Sequence, residues 1–247
     1  MSLSSIAVIP ARYGSNRLPG KPLRLLAGKP LVQRVYEAVA DTALFQRIII
    51  TTDDSRIEEA ALSFGAEVLM TSEDCQSGTD RILEIKEQLT ADIIVNVQGD
   101  EPFITKEPLE KLISSFTDPQ VDIASLMMPT ADPSVATNPN IVKVVTDIND
   151  FALYFSRSQI PFDRDSTTST SHPFFTHIGV YAFRQNILNS IAKLPLGKLE
   201  TREKLEQLRW LEHSLKIKMI ETDYNGFGID TEADLLKAET YLSTGTL

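Results

Sequence analysis

Residues 4–23 read SSIAVIPARYGSNRLPGKPL, and the way this stretch divides decides the fold. Its first part, residues 6–10, is a short run of apolar and β-branched side chains, the pattern of a buried strand. The remainder is punctuated by Gly14, Pro19, Gly20 and Pro22 and carries Arg12, Arg17 and Lys21, so it reads as a loop. Residues 30–40 then place Leu31, Val32, Val35 and Val39 at helical spacing. The opening is strand, cationic loop, helix.

The alternation continues. Residues 47–52 (RIIITT) read as a second strand, and Ser55 as the N-cap of a helix that buries Ile57, Ala60, Ala61 and Phe64 and closes at Gly65. Residues 67–70 give a third strand, 80–89 a helix, and 92–97 (DIIVNV) a fourth strand ending in the turn QGDEP. Strands alternating with helices imply right-handed crossovers, hence an α/β fold with a mostly parallel sheet and helices on both faces. Ligands of such sheets gather at the carboxyl ends of the strands, which assigns the 11–23 loop and the 98–102 turn to one edge.

From residue 138 the texture changes. IVKVVT, DIND and FALYFS (141–156) read as a two-stranded hairpin, followed by a polar loop at 163–172 and a returning strand at 174–183. An antiparallel β lobe inserted at about 138–183 into one domain spanning 1–247 is expected. Residues 201–213 read as one helix with Leu205, Leu208 and Leu211 inward, then come a strand at 217–221 and the turn YNGFGID (224–230). Thr231 with Asp234 three residues on is a capping-box pattern that opens the last helix.

Composition narrows the function. The 247 residues carry a net charge of −10, so a nucleic-acid polymer would be repelled unless a basic face existed, and none is visible. No apolar run is long enough to span a bilayer and no leader precedes the first strand, so a cytoplasmic protein without membrane insertion is expected. One cysteine, Cys75, and three dispersed histidines, His172, His177 and His213, speak against an internal disulfide or a zinc site. A metal here would be held by oxygen.

A cationic loop on so acidic a chain suggests a small anion held locally. Neither common phosphate motif fits: five residues separate Gly14 from Gly20 where the P-loop has four, Pro22 follows Lys21 where a hydroxyl is needed, and GxGxxG is absent. Free backbone N–H groups near Gly14 and Ser15, with Arg12, Arg17 and Lys21 around them, would suit a polyphosphate. The alternative is a solvated loop whose charges serve solubility. Asp100 is either a turn former beside Gly99 or a strand-end carboxylate placed for magnesium, which takes oxygen ligands and bridges phosphates. Asp230 is either favoured by the dipole of the helix that follows or the second half of that metal site.

Eight strings in order extend the pattern along nearly the whole chain: IPARYGSNRLPGKPL (9–23), QSGTDR (76–81), NVQGDEP (96–102), NPNIVKVV (138–145), ALYFSR (152–157), HIGVY (177–181), LEQLR (205–209) and GIDT (228–231). Together they resemble the bacterial 3-deoxy-manno-octulosonate (Kdo) cytidylyltransferases. The resemblance implies a nucleotide-diphospho-sugar transferase fold and a homodimer formed through the inserted lobe. It also implies a magnesium-dependent reaction of CTP with Kdo to CMP-Kdo and pyrophosphate, in lipopolysaccharide synthesis. By the same resemblance Arg12, Lys21, Asp100 and Asp230 are catalytic, with Asp100 and Asp230 on Mg²⁺. Ser15 and Arg17 join Arg12 and Lys21 on the triphosphate, and Ser77 and Gly78 form part of the cytosine pocket. Gln98, Arg157, His177, Tyr181, Glu206 and Gln207 meet the sugar acid.

The chemistry is sound residue by residue. A guanidinium fork matches a carboxylate in two parallel bonds, which suits Arg157 to an acidic sugar; the alternative is a surface ion pair with Asp163 or Asp165. His177 and Tyr181, four apart on a strand, equally suit a satisfied core. An amino-substituted Kdo or another acid sugar such as sialic acid remains the alternative substrate. Two departures from the family's pattern stand out, GVYAF (179–183) and Phe227 in GFGID, where Phe227 is expected to narrow the pocket beside Asp230.

Overall fold

The computed structural model describes residues 3–15, 17–164, 173–224 and 226–245. The chain forms two units, Met1–Leu109 with Asn225–Leu247, and Glu110–Tyr224.

In the first unit, β1 (Ser5–Pro10) is buried at all six positions, as its unbroken apolar run requires. The loop after it leads through β2 (Leu25–Leu26) and β3 (Lys29–Pro30), a small antiparallel pair, into α1 (Leu31–Asp41), which buries Leu31, Val32, Val35 and Val39. Then come β4 (Arg47–Thr52), α2 (Ser55–Ser63), β5 (Glu67–Met70), α3 (Gly78–Glu84) and β6 (Ile93–Asn96). β1 pairs in parallel with β4 on one side and β6 on the other, and β5 extends the sheet beyond β4, also in parallel. The α/β class with its parallel sheet is as the sequence predicts.

The chain passes from one unit to the other within α4 (Lys106–Ser114). The second unit contains β7 (Ile123–Thr130), α5 (Pro133–Thr137), β8 (Lys143–Thr146), β9 (Ala152–Ser156) and β10 (Phe174–Arg184), then α6 (Leu188–Ile191), α7 (Lys198–Glu203), α8 (Gln207–Glu212) and β11 (Ile217–Glu221). β7 pairs antiparallel with β10 and parallel with β11, and the antiparallel hairpin β8–β9 joins through β8 to β10. The chain returns to the first unit with α9 (Glu232–Thr244), opened by the Thr231 and Asp234 capping box.

Three local expectations are corrected. The N-cap of α2 is Asp54, whose carboxylate accepts from the Arg56 N–H, and Ser55 is the first helical residue. The helix expected at 80–89 starts at Gly78, capped by Ser77, and passes into a separate 3₁₀ turn at Lys86–Gln88. The single helix expected at 201–213 is two, because Lys204 adopts a left-handed φ of 56°. Tertiary bonds compete with helix continuation on both sides of that break. Glu200 is held by Arg209 through two contacts of 2.6 Å, and Glu203 accepts from Ser156 Oγ at 2.8 Å and Arg157 N at 3.0 Å. Most of the polar loop at 163–172, including Asp165 and His172, lies outside the described residues.

Leu18, Leu26, Leu31, Ile229, Leu235 and Ala238 form a buried cluster in the first unit, with Phe103 and Phe227 packed against it. Leu18 anchors the cationic loop in this cluster, and Ile229 anchors the final turn in the same place. Arg17 and Asp230, each next to one anchor, are thereby brought together.

Candidate functional site

In the first unit a cleft of about 340 Å³ opens at the carboxyl ends of β1 and β6. Its lining includes Arg12, Ser15, Arg17 and Lys21 from the loop, Ser77 and Gly78 from the start of α3, and Gln98, Asp100 and Asp230. All nine residues that the sequence assigns to nucleotide, metal and Gln98 roles in this unit thus line one cleft. Among the described residues Arg12 pairs with no carboxylate, and its side chain is exposed.

Backbone contacts draw the loops together. Val97 N–H donates to Val8 O at 3.0 Å and Ile229 N–H to Asp100 O at 2.9 Å, so the last turn is hydrogen-bonded to the strand-end turn. Gly99 has to be a glycine: a Cβ there would lie 2.6 Å from Pro10 O, a backbone atom with no room to retreat. Gly78 is similarly tight, its would-be Cβ 3.0 Å from Pro10 Cγ. Ser77 Oγ accepts from Asp80 N–H at 3.1 Å while the Asp80 carboxylate accepts from Ser77 N–H at 3.0 Å, which fixes the rim that carries Ser77 and Gly78.

Lys21 is the electrostatic centre. Its ammonium donates to Asp100 Oδ2 at 2.6 Å and to Asp230 Oδ1 at 2.9 Å, and Arg17 reaches Asp230 Oδ2 at 2.9 Å. Burial works against the Lys21 charge, but the attraction and hydrogen bonds of the two aspartates outweigh it and hold its pKa above the ordinary lysine value. Two carboxylates from distant parts of the chain therefore face one point of positive charge.

Several lining residues have no role assigned from sequence. Arg81 is 3% exposed and is bound to Asp53 at 2.8 Å; its place in QSGTDR is the available signal. Cys75 lies at the rim, but burial and a hydrogen bond to Glu84 push its thiol up to about 12, so it is not a nucleophile at neutral pH. Phe227 does not line the cleft, contrary to expectation: its ring sits 5.1 Å from that of Phe103 and packs on the buried cluster.

The remaining five predicted residues, Arg157, His177, Tyr181, Glu206 and Gln207, belong to the second unit. Arg157 follows β9, and its guanidinium donates to Glu203 O at 2.9 Å and Pro139 O at 3.2 Å. His177 Nε2 lies 2.8 Å from Ser125 Oγ, and its ring meets Phe155 and Tyr181 at 5.0 and 5.4 Å. Burial pushes the His177 imidazolium down to about 3 and, with Glu206, pushes the Tyr181 phenol up. Gln207 is 2% exposed at the start of α8.

A parallel sheet that presents a cationic loop and two converging carboxylates at its strand ends defines a nucleotide-binding α/β transferase. The cytidylyltransferase family model matches residues 6–217. The 3-deoxy-manno-octulosonate cytidylyltransferase of Flavobacterium johnsoniae is 47% identical over 240 residues, covering 96% of this chain and 98% of that protein. The enzyme of the same name from Syntrophotalea carbinolica is 45% identical over 247 residues, covering 97% and 99%. The chain belongs to the cytidylyltransferase family, among the 3-deoxy-manno-octulosonate cytidylyltransferases, as the sequence motifs indicate. A solved CMP:2-keto-3-deoxy-manno-octonic acid synthetase, complexed with CTP, superposes with a TM-score of 0.92 at 39% identity, covering 98% of this chain and 100% of that one. The 4-diphosphocytidyl-2C-methyl-D-erythritol synthase of Anaerococcus prevotii, at a TM-score of 0.65 and 14% identity, shares the fold.

Proposed function

We propose that this protein transfers a cytidylyl group from CTP to 3-deoxy-manno-octulosonate, giving CMP-Kdo and pyrophosphate. The observation that carries the proposal is the single cleft in which Arg12, Ser15, Arg17 and Lys21 face Asp100 and Asp230. The anomeric hydroxyl of the sugar acid attacks the α-phosphorus in line with the departing pyrophosphate, so that the new O–P bond replaces the bond to the β-phosphate and the hydroxyl proton passes to solvent. Arg12 and Lys21 stabilise the charge that moves onto pyrophosphate, and Lys21, its pKa raised, stays cationic throughout the neutral range. Ser77 and Gly78 border the base, and Arg157 reads the sugar carboxylate with its planar fork. His177, too weak a base with its pKa near 3, orients rather than accepts protons, together with Tyr181, Glu206 and Gln207. Holding both reactants in register supplies much of the remaining acceleration.

Asp100 and Asp230 are the residues that would hold Mg²⁺. The donor set fits: each offers one oxygen to the same cation, Lys21 Nζ, at 2.6 and 2.9 Å. Among the described residues no group of three or more histidine, cysteine or acidic side chains could hold a metal, so the two aspartates would hold the ion only together with ligands from outside the protein. When bound, the ion would supply positive charge beside the phosphates and Lewis acidity toward the attacking hydroxyl.

The same reading places the protein in the cytoplasm, in lipopolysaccharide synthesis, as a homodimer joined through the lobe. That region exposes two large apolar side chains, Ile148 (98%) and Phe162 (85%). No helix among the described residues is long and apolar enough to cross a membrane. Pyrophosphate release, measured with CTP, magnesium and Kdo against a panel of other triphosphates, amino-Kdo and sialic acid, tests the proposal. Release with CTP and Kdo above all other pairs is expected; a preference for another pair reassigns the substrate, and no release with any pair leaves a nucleotide-binding protein.

A further inference from the structure

We propose that Tyr13 and Arg56, neither of which lines the cleft, are positioning residues that lock the neck of the cationic loop and so set the affinity for the nucleotide triphosphate. This rests on the loop being the triphosphate site. Gly20, at a left-handed φ of 65°, donates its N–H to Tyr13 O at 3.3 Å, which ties the two ends of the loop together at a narrow neck. Arg12 precedes that neck and Lys21 follows it. The Tyr13 ring lies against the neck: a Cβ on Gly20 would come within 3.1–3.2 Å of its Cζ, Cε2 and Oη. The Arg56 guanidinium carbon stands 3.4 Å from the centroid of the same ring.

Arg56 is itself held. Its Nε and Nη2 donate to Asp54 Oδ1 at 2.9 Å and Oδ2 at 2.6 Å, and Asp54 caps α2. An exposed pair two residues apart contributes little by itself. Here, however, the pair ends on an aromatic ring, so a chain of contacts runs from the start of α2 through Asp54, Arg56 and Tyr13 to Gly20. The loop's apolar anchor, Leu18, holds its later part. Without the stack at the neck, Arg12, which pairs with no carboxylate among the described residues, would have to be ordered when the triphosphate binds, and that ordering weakens binding.

Calorimetric titration of the full chain with CTP and magnesium, in the absence of sugar, tests the proposal. Arg56→Ala is expected to weaken CTP binding by about two- to fivefold, the scale of one exposed cation–π contact. Its melting temperature and its KM for the sugar acid should stay as in wild type, since the side chain is 57% exposed. Tyr13→Ala should weaken binding further and Tyr13→Phe should restore it. Arg12→Ala serves as control for the site. If Arg12→Ala loses CTP while Arg56→Ala and Tyr13→Ala bind as wild type, the positioning role is overturned and the nucleotide site stands. If Arg12→Ala also binds normally, the loop is not the triphosphate site and both readings fall.

Discussion

Lys21 Nζ lies 2.6 Å from Asp100 Oδ2, although 79 positions separate the two residues. A loop lysine and a strand-end aspartate meet because both leave the carboxyl edge of adjacent parallel strands, β1 and β6. Asp100→Asn keeps the size of the side chain and removes its charge. Turnover is expected to fall by about two to three orders of magnitude, the scale of losing one preorganised electrostatic group, with circular dichroism and melting little changed. Near-normal pyrophosphate release by a folded variant would remove Asp100 from the chemistry.

Gly99→Ala probes the floor of the cleft. Its new methyl would meet Pro10 O at 2.6 Å, so β1 and the QGDEP turn must separate. A loss of about 1–3 kcal/mol in stability is expected, together with weaker CTP binding, because Pro10 leads through Ala11 to Arg12. Denaturant titration and calorimetry read the two effects; a variant unchanged in both would show that the turn can shift freely.

The pH dependence of stability has a contribution from His177. An unfolded histidine titrates near 6.5, while burial holds His177 down to about 3. Between those values the folded protein binds fewer protons than the unfolded chain, so stability is fully present above about pH 6.5 and declines as pH falls toward 3. The slope from this group is at most about 1.4 kcal/mol per pH unit. His177→Gln should flatten the acid limb of a stability profile recorded by denaturant titration; parallel limbs for wild type and variant would show that the imidazole protonates without resistance in the folded state.

Arg157 offers a test confined to the sugar. Arg157→Ala should raise KM for the sugar acid and leave CTP binding intact, and Arg157→Lys should recover little, since an ammonium lacks the planar fork. If KM for the sugar acid is unaltered in both, the guanidinium serves only to tie Glu203 O and Pro139 O together.

Much of the fold is legible in the letters because it depends on local pattern. The six buried positions of β1 follow from an unbroken apolar run, and the capping box of Thr231 and Asp234 from side chains three residues apart. The same holds for the hairpin of β8 and β9, whose two apolar segments flank a short polar turn. Sequence and structure part where a distant partner outweighs the local preference. Periodicity through Leu205, Leu208 and Leu211 favours one helix, yet Arg209, Ser156 and Arg157 capture Glu200 and Glu203 and the chain turns at Lys204. Nearness to Asp230 in sequence points Phe227 at the cleft, but the apolar cluster around Ile229 draws the ring away.

The sequence by itself determined the alternating α/β plan, the family, and the cationic loop and strand-end aspartate that come to line the cleft. Only the tertiary structure decided that Lys21 bridges Asp100 and Asp230, that Gly99 admits no side chain, and that Tyr13 and Arg56 stack at the loop's neck. The physical reason is range. Strand, helix and cap preferences act over a few residues and are written in spacing, whereas the convergence of charges across a sheet edge depends on strand order and on buried anchors such as Leu18 and Ile229, which no short window of sequence contains.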